Sequence, residues 1–440
     1  MNCLQRAGQK VQRRTDLTCD DLVLIVTEDS PESHSPAGER IRHLASAVGS
    51  IFGKSIILAL GASKKQKRTK ISAGTLLYGI NLKTRLPYPV SAFFDPMKFL
   101  LFLMYGLLLS LRYSSSLVIA SMPPWETGLS SWIVAKLLRR KLVIDLRDDW
   151  ESAAMESRLA EYVPAELIML RSRIAKNMYS FSSTILAITP TLVDGIRKRG
   201  INPTIVLAPN GADTSKFYPR REEMRKRIRS KHGLPTNRII VIYCGSGINP
   251  YYRLDLILES LKSLPDSVRE RTFFVFYVYN GMESLRKFKD NLGLPDSLIE
   301  IREPLSRDKI AEVMSACDIG LVPFDDEPYL LYATSTKVYE YISSGLYVVC
   351  SGPNGGELDS MISAEPNNGV FVSPRVEDLV EAVSNAVGSL EYLFSNSRRS
   401  VRYTYIDKNY DRRKTMVTAV EKLVTEVWNP ANSRWTFVKE

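Results

Sequence analysis

The chain has 440 residues, more than one hydrophobic core supports, so two domains are expected. Hydrophobic residues make up 45% and charged residues 24%, which excludes wholesale disorder. A formal net charge of +11 favours anionic partners, such as nucleotides or phospholipid surfaces, and says nothing about fold.

Residues 1–21 are polar and carry no apolar run of the kind a signal peptide needs. From there, short β-rich runs alternate with helical patterns. In the first half the runs are Leu22–Thr27, Ser55–Leu60, Leu117–Ser121, Leu142–Leu146, Ile185–Thr189 and Ile205–Ala208. A helix is predicted at Ile41–Val48. Another lies over the stripe Leu167, Leu170, Ile174, Met178 and Phe181. The apolar stretch Phe99–Leu111 is shorter than the roughly 20 residues of a spanning helix. It predicts a buried helix, with a helix lying in a membrane interface as the alternative. Pro209–Arg220 (PNGADTSKFYPR) concentrates turn formers and marks a domain boundary. In the second half the β runs are Ile239–Tyr243, Phe273–Val278, Asp318–Pro323, Tyr347–Cys350 and Val370–Val372. Helices are predicted at Leu254–Leu264, Arg307–Ala316, Thr336–Ser343, Val376–Val387 and Arg412–Trp428.

The β runs are almost wholly apolar, as strands covered on both faces are. Strand–helix alternation then gives α/β architecture with parallel sheets. It occurs twice, so two Rossmann-like doubly wound domains are expected. The first is 1–208, a linker follows at 209–220, and the second is 221–405. Residues 406–440 carry a terminal helix that returns to the first domain.

Five cysteines include no Cys-x-x-Cys pair, and three histidines show no metal-ligand spacing, so no metal site is expected. Two basic runs stand out: Lys64, Lys65, Lys67, Arg68 and Lys70, and Arg225, Lys226, Arg227, Arg229 and Lys231. Each reads as a solvated loop or helix face, or as a contact with anionic lipid or acceptor.

Ligands of doubly wound sheets bind at loops beyond the strands' carboxyl ends. Four such loops carry chemistry. In Ala37-Gly38-Glu39-Arg40, Gly38 lets backbone approach a ligand at a helix N-terminus. Asp145-Leu146-Arg147-Asp148-Asp149-Trp150 either positions a sugar, with Arg147 and Asp148 as the candidate catalytic pair, or anchors a loop. Gly245-Ser246-Gly247, followed by Arg253, suits a phosphate. Ser335, Thr336 and Lys337 open a short helix whose N-terminus holds a diphosphate by backbone N–H groups and one ammonium. Glu340 lies one turn deeper. The alternative there is an ordinary surface Lys337–Glu340 pair.

Together these segments resemble the GT-B glycosyltransferases, and within them family 4 of the retaining enzymes, from about Ser35 to Val387. SMPP (Ser121–Pro124) and DLRDDWES (Asp145–Ser152) are similar to segments of a branch that builds surface polysaccharides. APNGAD (Ala208–Asp213) and STKVYEYISSGLYVV (Ser335–Val349) resemble the interdomain and donor-site segments. The resemblance implies two domains facing across a cleft. It also implies retaining transfer of a hexose-type sugar from a nucleotide-sugar to a glycan or polyprenyl-lipid-linked acceptor, without metal or cofactor. Gly38, Gly245, Ser246, Arg253, Ser335, Thr336 and Lys337 would surround the diphosphate, and Glu340 would bind the ribose. A cytoplasmic chain, peripheral at an anionic membrane face and without nucleic-acid partners, follows as an expectation. The sequence departs from the family where its first motif acid becomes Tyr332 and its Lys–Gly becomes Tyr252-Arg253. A nucleotide-sugar epimerase or hydrolase, or a degenerate binding protein on the same fold, are the rival readings.

Overall fold

A computed structural model describes residues 22–33, 35–60, 67–72, 74–80, 94–148, 163–247 and 251–428. Cys3, Cys19, His34, Lys64, Lys65 and Asp149–Ser152 lie outside them. The chain divides into two compact units. One is Met1–Pro209 with Arg413–Glu440, and the other is Asn210–Arg412.

In the first unit, the described strands are β1 (Leu22–Thr27), β2 (Lys54–Leu60), β3 (Lys67–Ser72), β4 (Thr75–Ile80), β5 (Leu117–Met122), β6 (Lys141–Leu146), β7 (Thr184–Ala187) and β8 (Thr204–Leu207). They form one sheet in the order β3-β4-β2-β1-β5-β6-β7-β8. All pair in parallel except β3, which runs antiparallel to β4. The reason is visible in β1, where all six residues of LVLIVT are buried, so helices must cover both faces. The connecting helices are α1 (Pro36–Phe52), α2 (Pro96–Tyr113), α3 (Trp125–Leu137), α4 (Ala165–Phe181) and α5 (Pro190–Lys198).

The second unit is a six-stranded parallel sheet, β11-β10-β9-β12-β13-β14. Its strands are β9 (Ile239–Gly245), β10 (Thr272–Val278), β11 (Ile299–Arg302), β12 (Ile319–Pro323), β13 (Tyr347–Ser351) and β14 (Gly369–Val372). Its helices are α6 (Glu222–Lys231), α7 (Leu254–Ser263), α8 (Asp266–Arg271), α9 (Met282–Asn291), α10 (Arg307–Ala316), α11 (Thr336–Ser343), α12 (Glu357–Ser363), α13 (Val376–Gly388), α14 (Leu390–Leu393) and α15 (Asn396–Asn409). The last helix, α16 (Arg412–Trp428), leaves this unit and puts Met416, Val420 and Leu423 into the first unit's core beside Ile41, Leu44 and Val48.

The expected linker is not a free tether. Ala212 and Phe217 are fully buried in the second unit's core, and Thr214 donates to Asp411. Gly211 has φ +59°, and a Cβ there would lie 2.2 Å from the Tyr410 carbonyl, so the two chain crossings touch at a glycine. Residues 406–412 also stay with the second unit, where Ile406 is buried and Arg412 donates to the Asn210 and Gly211 carbonyls.

Three further expectations change. Lys67, Arg68 and Lys70 lie not in a loop but on the edge strand β3, a place where lysine-rich sequence discourages sheet-to-sheet association. In α6, Arg225 and Arg229 are buried rather than solvated, and both pair with Asp318 at the foot of β12. Finally, α2 is not a core helix. Only Phe102, Gly106, Leu109 and Ser110 are buried along it.

Candidate functional site

In the second unit β9 and β12 are neighbours, yet β9 connects onward to β10 on one side and β12 to β13 on the other. That is a topological switch point, where loops diverge and leave a crevice. The two loops are tied together there. Tyr252 bridges to Phe324, and the Arg253 N–H donates to the Pro323 carbonyl at 2.8 Å. The tie brings Gly245-Ser246-Gly247 beside the start of α11.

α11 begins after Ser335, whose backbone (φ −84°, ψ 132°) suits an N-cap although its side chain makes no capping bond. The Ser335 hydroxyl instead lies 3.3 Å from the Tyr252 hydroxyl. Val338, Tyr341 and Ile342 are buried and fix the helix against the sheet. This orientation sends Lys337 toward the glycine loop. Its ammonium sits 3.7 Å from the centre of the Tyr252 ring and 4.7 Å from that of Tyr243. Such cation–π contacts contribute about 0.5–2 kcal/mol each and fix the ammonium in place. A Cβ on Gly245 would fall 2.6 Å from the Lys337 Cε and Nζ, so the glycine supplies the room for this seat.

The loop is braced from below. Tyr243 donates its phenol to the Ser246 carbonyl at 2.8 Å. Burial, reinforced by the neighbouring Tyr252 phenol, holds Tyr243 well above the usual tyrosine range, so it stays a neutral donor. Ser246 donates to the Asn280 side-chain oxygen at 2.6 Å, and the Gly247 N–H donates to the same oxygen at 2.8 Å. The cysteine that follows Tyr243 is inert. Burial pushes the Cys244 thiol well up.

The surface Lys337–Glu340 pair does not form. Glu340 is 3% exposed and is held by Arg307 at the start of α10, with Arg412 at 3.5 Å. Both contacts fall on Oε1. Arg253, the expected substitute cation, is paired with two carboxylates. Its guanidinium reaches Asp255 at 2.9 Å and Asp325 at 3.2 Å, and its charge is spent on them. The Asp255 hydrogen bond holds Arg253 above its usual range. Lys337, stacked on the Tyr252 ring, is the cation that faces the glycine loop.

The first-unit candidates have structural partners. Gly38 is buried, and a Cβ there would meet the Ser30 carbonyl at 2.5 Å, so the close approach it permits is to the protein's own loop. Ser35 caps α1 by accepting the Gly38 N–H at 3.0 Å. Arg147 pairs with Asp29 at 3.0 Å and donates to the Met122 and Pro123 carbonyls, contacts that anchor the loop. Asp148 is exposed at the last described position of that loop. Asp145 is fully buried under Arg40, and it also accepts from Ser121 at 2.8 Å. Arg40, in turn, donates to the Ala208 carbonyl, which braces α1, β6 and the end of β8.

The structure brings Lys337, Ser335, Gly245 and Ser246 together around Tyr243 and Tyr252. Tyr243, Tyr252, Asn280 and Arg307 were not anticipated. A run of aromatics after the glycine loop (Tyr251-Tyr252) is the one signal for them, and it is a weak one.

Residues 224–392 match the family model described as glycosyl transferases group 1. The second unit is a glycosyl transferases group 1 domain. The activity of such a domain is sugar transfer from a nucleotide-sugar. No curated protein matches the chain in sequence. Solved structures share its fold. Sucrose-phosphate synthase from Thermosynechococcus elongatus superposes with TM-score 0.74 at 14% identity, over 92% of this chain and 99% of that one. Anabaena HepE, in complex with UDP and glucose, gives 0.66 at 15%, over 92% and 100%. WaaG, a glycosyltransferase involved in lipopolysaccharide biosynthesis, gives 0.63 at 15%, over 92% and 99%. The group 1 domain therefore sits in a chain of GT-B fold.

Proposed function

We propose that the chain is a retaining glycosyltransferase. It would move a hexose-type sugar from a nucleoside diphosphate to a glycan or lipid-linked acceptor of surface polysaccharide, with no metal. The observation that carries this reading is the Lys337 ammonium, fixed by Tyr252 and Tyr243 beside the Gly245 loop at the N-terminus of α11. When the bond from the anomeric carbon to the diphosphate breaks, negative charge grows on the departing oxygen. A preset cation and helix-end N–H groups stabilise it there without reorganising. Glu340 has its Oε2 left over from its contacts with Arg307 and Arg412, and that oxygen accepts the ribose hydroxyls. A uridine nucleotide is the first to try, because HepE was solved with UDP and glucose.

A thermal-shift panel of nucleoside diphosphates and nucleotide-sugars, with and without EDTA, tests the reading. The correct nucleotide raises the melting temperature, since ligand bound to the native state stabilises by mass action. EDTA leaves the shift unchanged, and Glu340→Gln reduces it while keeping an oxygen for Arg307. If no nucleotide shifts the protein, the reading falls. If donor is consumed at an undiminished rate without acceptor, the epimerase or hydrolase reading replaces it.

The glycine gives a second, sharper check. In Gly245→Ala the new methyl displaces the far end of the Lys337 chain and crowds the Tyr243 hydroxyl, at a position with φ +156°. We expect a stability cost of about 1–2 kcal/mol. Nucleoside diphosphate affinity should fall by roughly tenfold or more, because a charge-assisted contact is lost. Isothermal titration reads the second effect and urea unfolding the first.

A further inference from the structure

We propose that the α2–α3 face of the first unit docks flat on an anionic lipid bilayer. The α2 residues Met97, Leu100, Met104, Leu108 and Leu111 are 47–62% exposed, and their spacing of three or four puts them in one stripe. At 1.5 Å per residue the stripe is about 21 Å long. It is continued from the neighbouring helix by Leu137, which is 65% exposed at the end of α3. The two helices touch where Gly106 faces Val134, whose Cγ2 lies 3.1 Å from a Cβ built on the glycine. Consecutive helices on one side of a parallel sheet run in the same direction, so their C-terminal ends share an edge. Leu108, Leu111 and Leu137 therefore gather at that edge.

Among the described residues at the C-terminal ends of the two helices, the exposed charges are basic. Arg112 ends α2, and Lys136 and Arg139 end α3, all three exposed. α2 contains no acid, and the only acid of α3, Glu126, is buried. An apolar stripe with exposed basic side chains at its C-terminal end matches the acyl–headgroup boundary of an anionic leaflet. It matches an ordinary protein partner less well, because protein surfaces mix both signs.

The helix lies on the bilayer rather than crossing it. Its start is pinned. Asp95 accepts the Met97 and Lys98 N–H groups at 3.0 and 3.1 Å, and Glu126 accepts the Asp95 N–H. Its end is pinned by the Ser115 N–H on the Ser110 carbonyl and by the bond between their hydroxyls, just before β5. Crossing would require tearing α2 from the sheet. Docking asks only that five exposed side chains leave water.

Sedimentation with vesicles tests the docking. The full chain should pellet with phosphatidylcholine vesicles containing phosphatidylglycerol, and less so as salt rises. Leu108→Glu with Leu111→Glu should raise the lipid concentration for half-binding by at least about tenfold, at an unchanged unfolding midpoint. Arg112→Glu with Lys136→Glu should weaken binding and flatten its salt dependence. The proposal is overturned if the wild-type chain does not pellet with anionic vesicles, or if both double variants pellet as it does. It is equally overturned if light scattering shows a wild-type dimer that Leu108→Glu with Leu111→Glu turns into monomers, because the stripe then belongs to a second copy. None of these readouts involves sugar transfer, so failure here leaves the Lys337 reading standing.

Discussion

Asp318→Asn is expected to destabilise the second unit by about 3–5 kcal/mol, the cost of leaving buried charge without its counter-ion. Asp318 accepts from Arg225 and, at 2.6 Å, from Arg229, and lies 3.5 Å from Arg399. It also accepts the Ile240 N–H at 2.9 Å, which ties the cluster to β9. All three guanidinium groups are at most 5% exposed. Removing the acid leaves three buried cations against Glu222, which is half-buried and pairs with Arg225. Even with the acid in place, burial, followed by repulsion from Arg225, pushes Arg399 down to about 9. Urea unfolding of Asp318→Asn against Glu222→Ala checks this. The second change should cost less than about 1 kcal/mol, as surface ion pairs do. Equal losses in both variants would show that Asp318 is not the centre of the cluster.

The same group gives a pH dependence. Burial alone would raise the Asp318 carboxyl, but Arg225, Arg229 and Arg399 outweigh it and hold the carboxyl below the usual carboxylate range. A carboxyl with a lower pKa in the folded state stabilises fully above its unfolded value of about 4. That contribution disappears as pH falls through the folded value. Acid unfolding of the wild type should therefore be steeper than that of Asp318→Asn.

This cluster also marks where the sequence stopped being legible. Runs such as Leu22–Thr27 and Phe273–Val278 are apolar on both faces, so they announce central parallel strands from their letters alone. The strands that went unseen are polar or alternating. β3 is lysine-rich and sits at the sheet edge, and β11 is an edge strand whose residues are alternately buried and half-buried. Arg225 and Arg229 look like a solvated helix face because the carboxylate that buries them lies some ninety residues onward. The limits of α11 were readable, since Ser335 can cap and Gly345, at φ +85°, can end a helix. The seat of Lys337 was not, because it depends on β9 and β12 being neighbours. Sequence spacing does not reveal which strands adjoin. The hydrophobic letters of Phe99–Leu111 likewise gave a helix but not which of its faces meets the sheet.

Lys337→Ala is expected to lower kcat/KM for sugar transfer by roughly 10²–10³, the range seen when one preset electrostatic contact to a developing oxyanion is removed. The loss should be concentrated in diphosphate recognition. Binding of a nucleoside without phosphates should change little, while the diphosphate loses its advantage. Lys337→Arg should restore only part of the activity, because a planar guanidinium does not fit the pocket between the Tyr252 ring and Gly245 as a compact ammonium does. Arg253→Ala is the control that separates the two cations. Arg253 already faces Asp255 and Asp325, so its loss should change kcat/KM by no more than about fivefold. Tyr252→Leu should fall between them. It keeps the ammonium but removes the aromatic face that fixes it, at a cost of about 1–2 kcal/mol in transition-state stabilisation. The order Lys337→Ala, Tyr252→Leu, Arg253→Ala, from most to least damaging, is what a single seated ammonium predicts. If Arg253→Ala proves the most damaging, Arg253 rather than Lys337 holds the diphosphate, and Lys337 only packs on its two tyrosines.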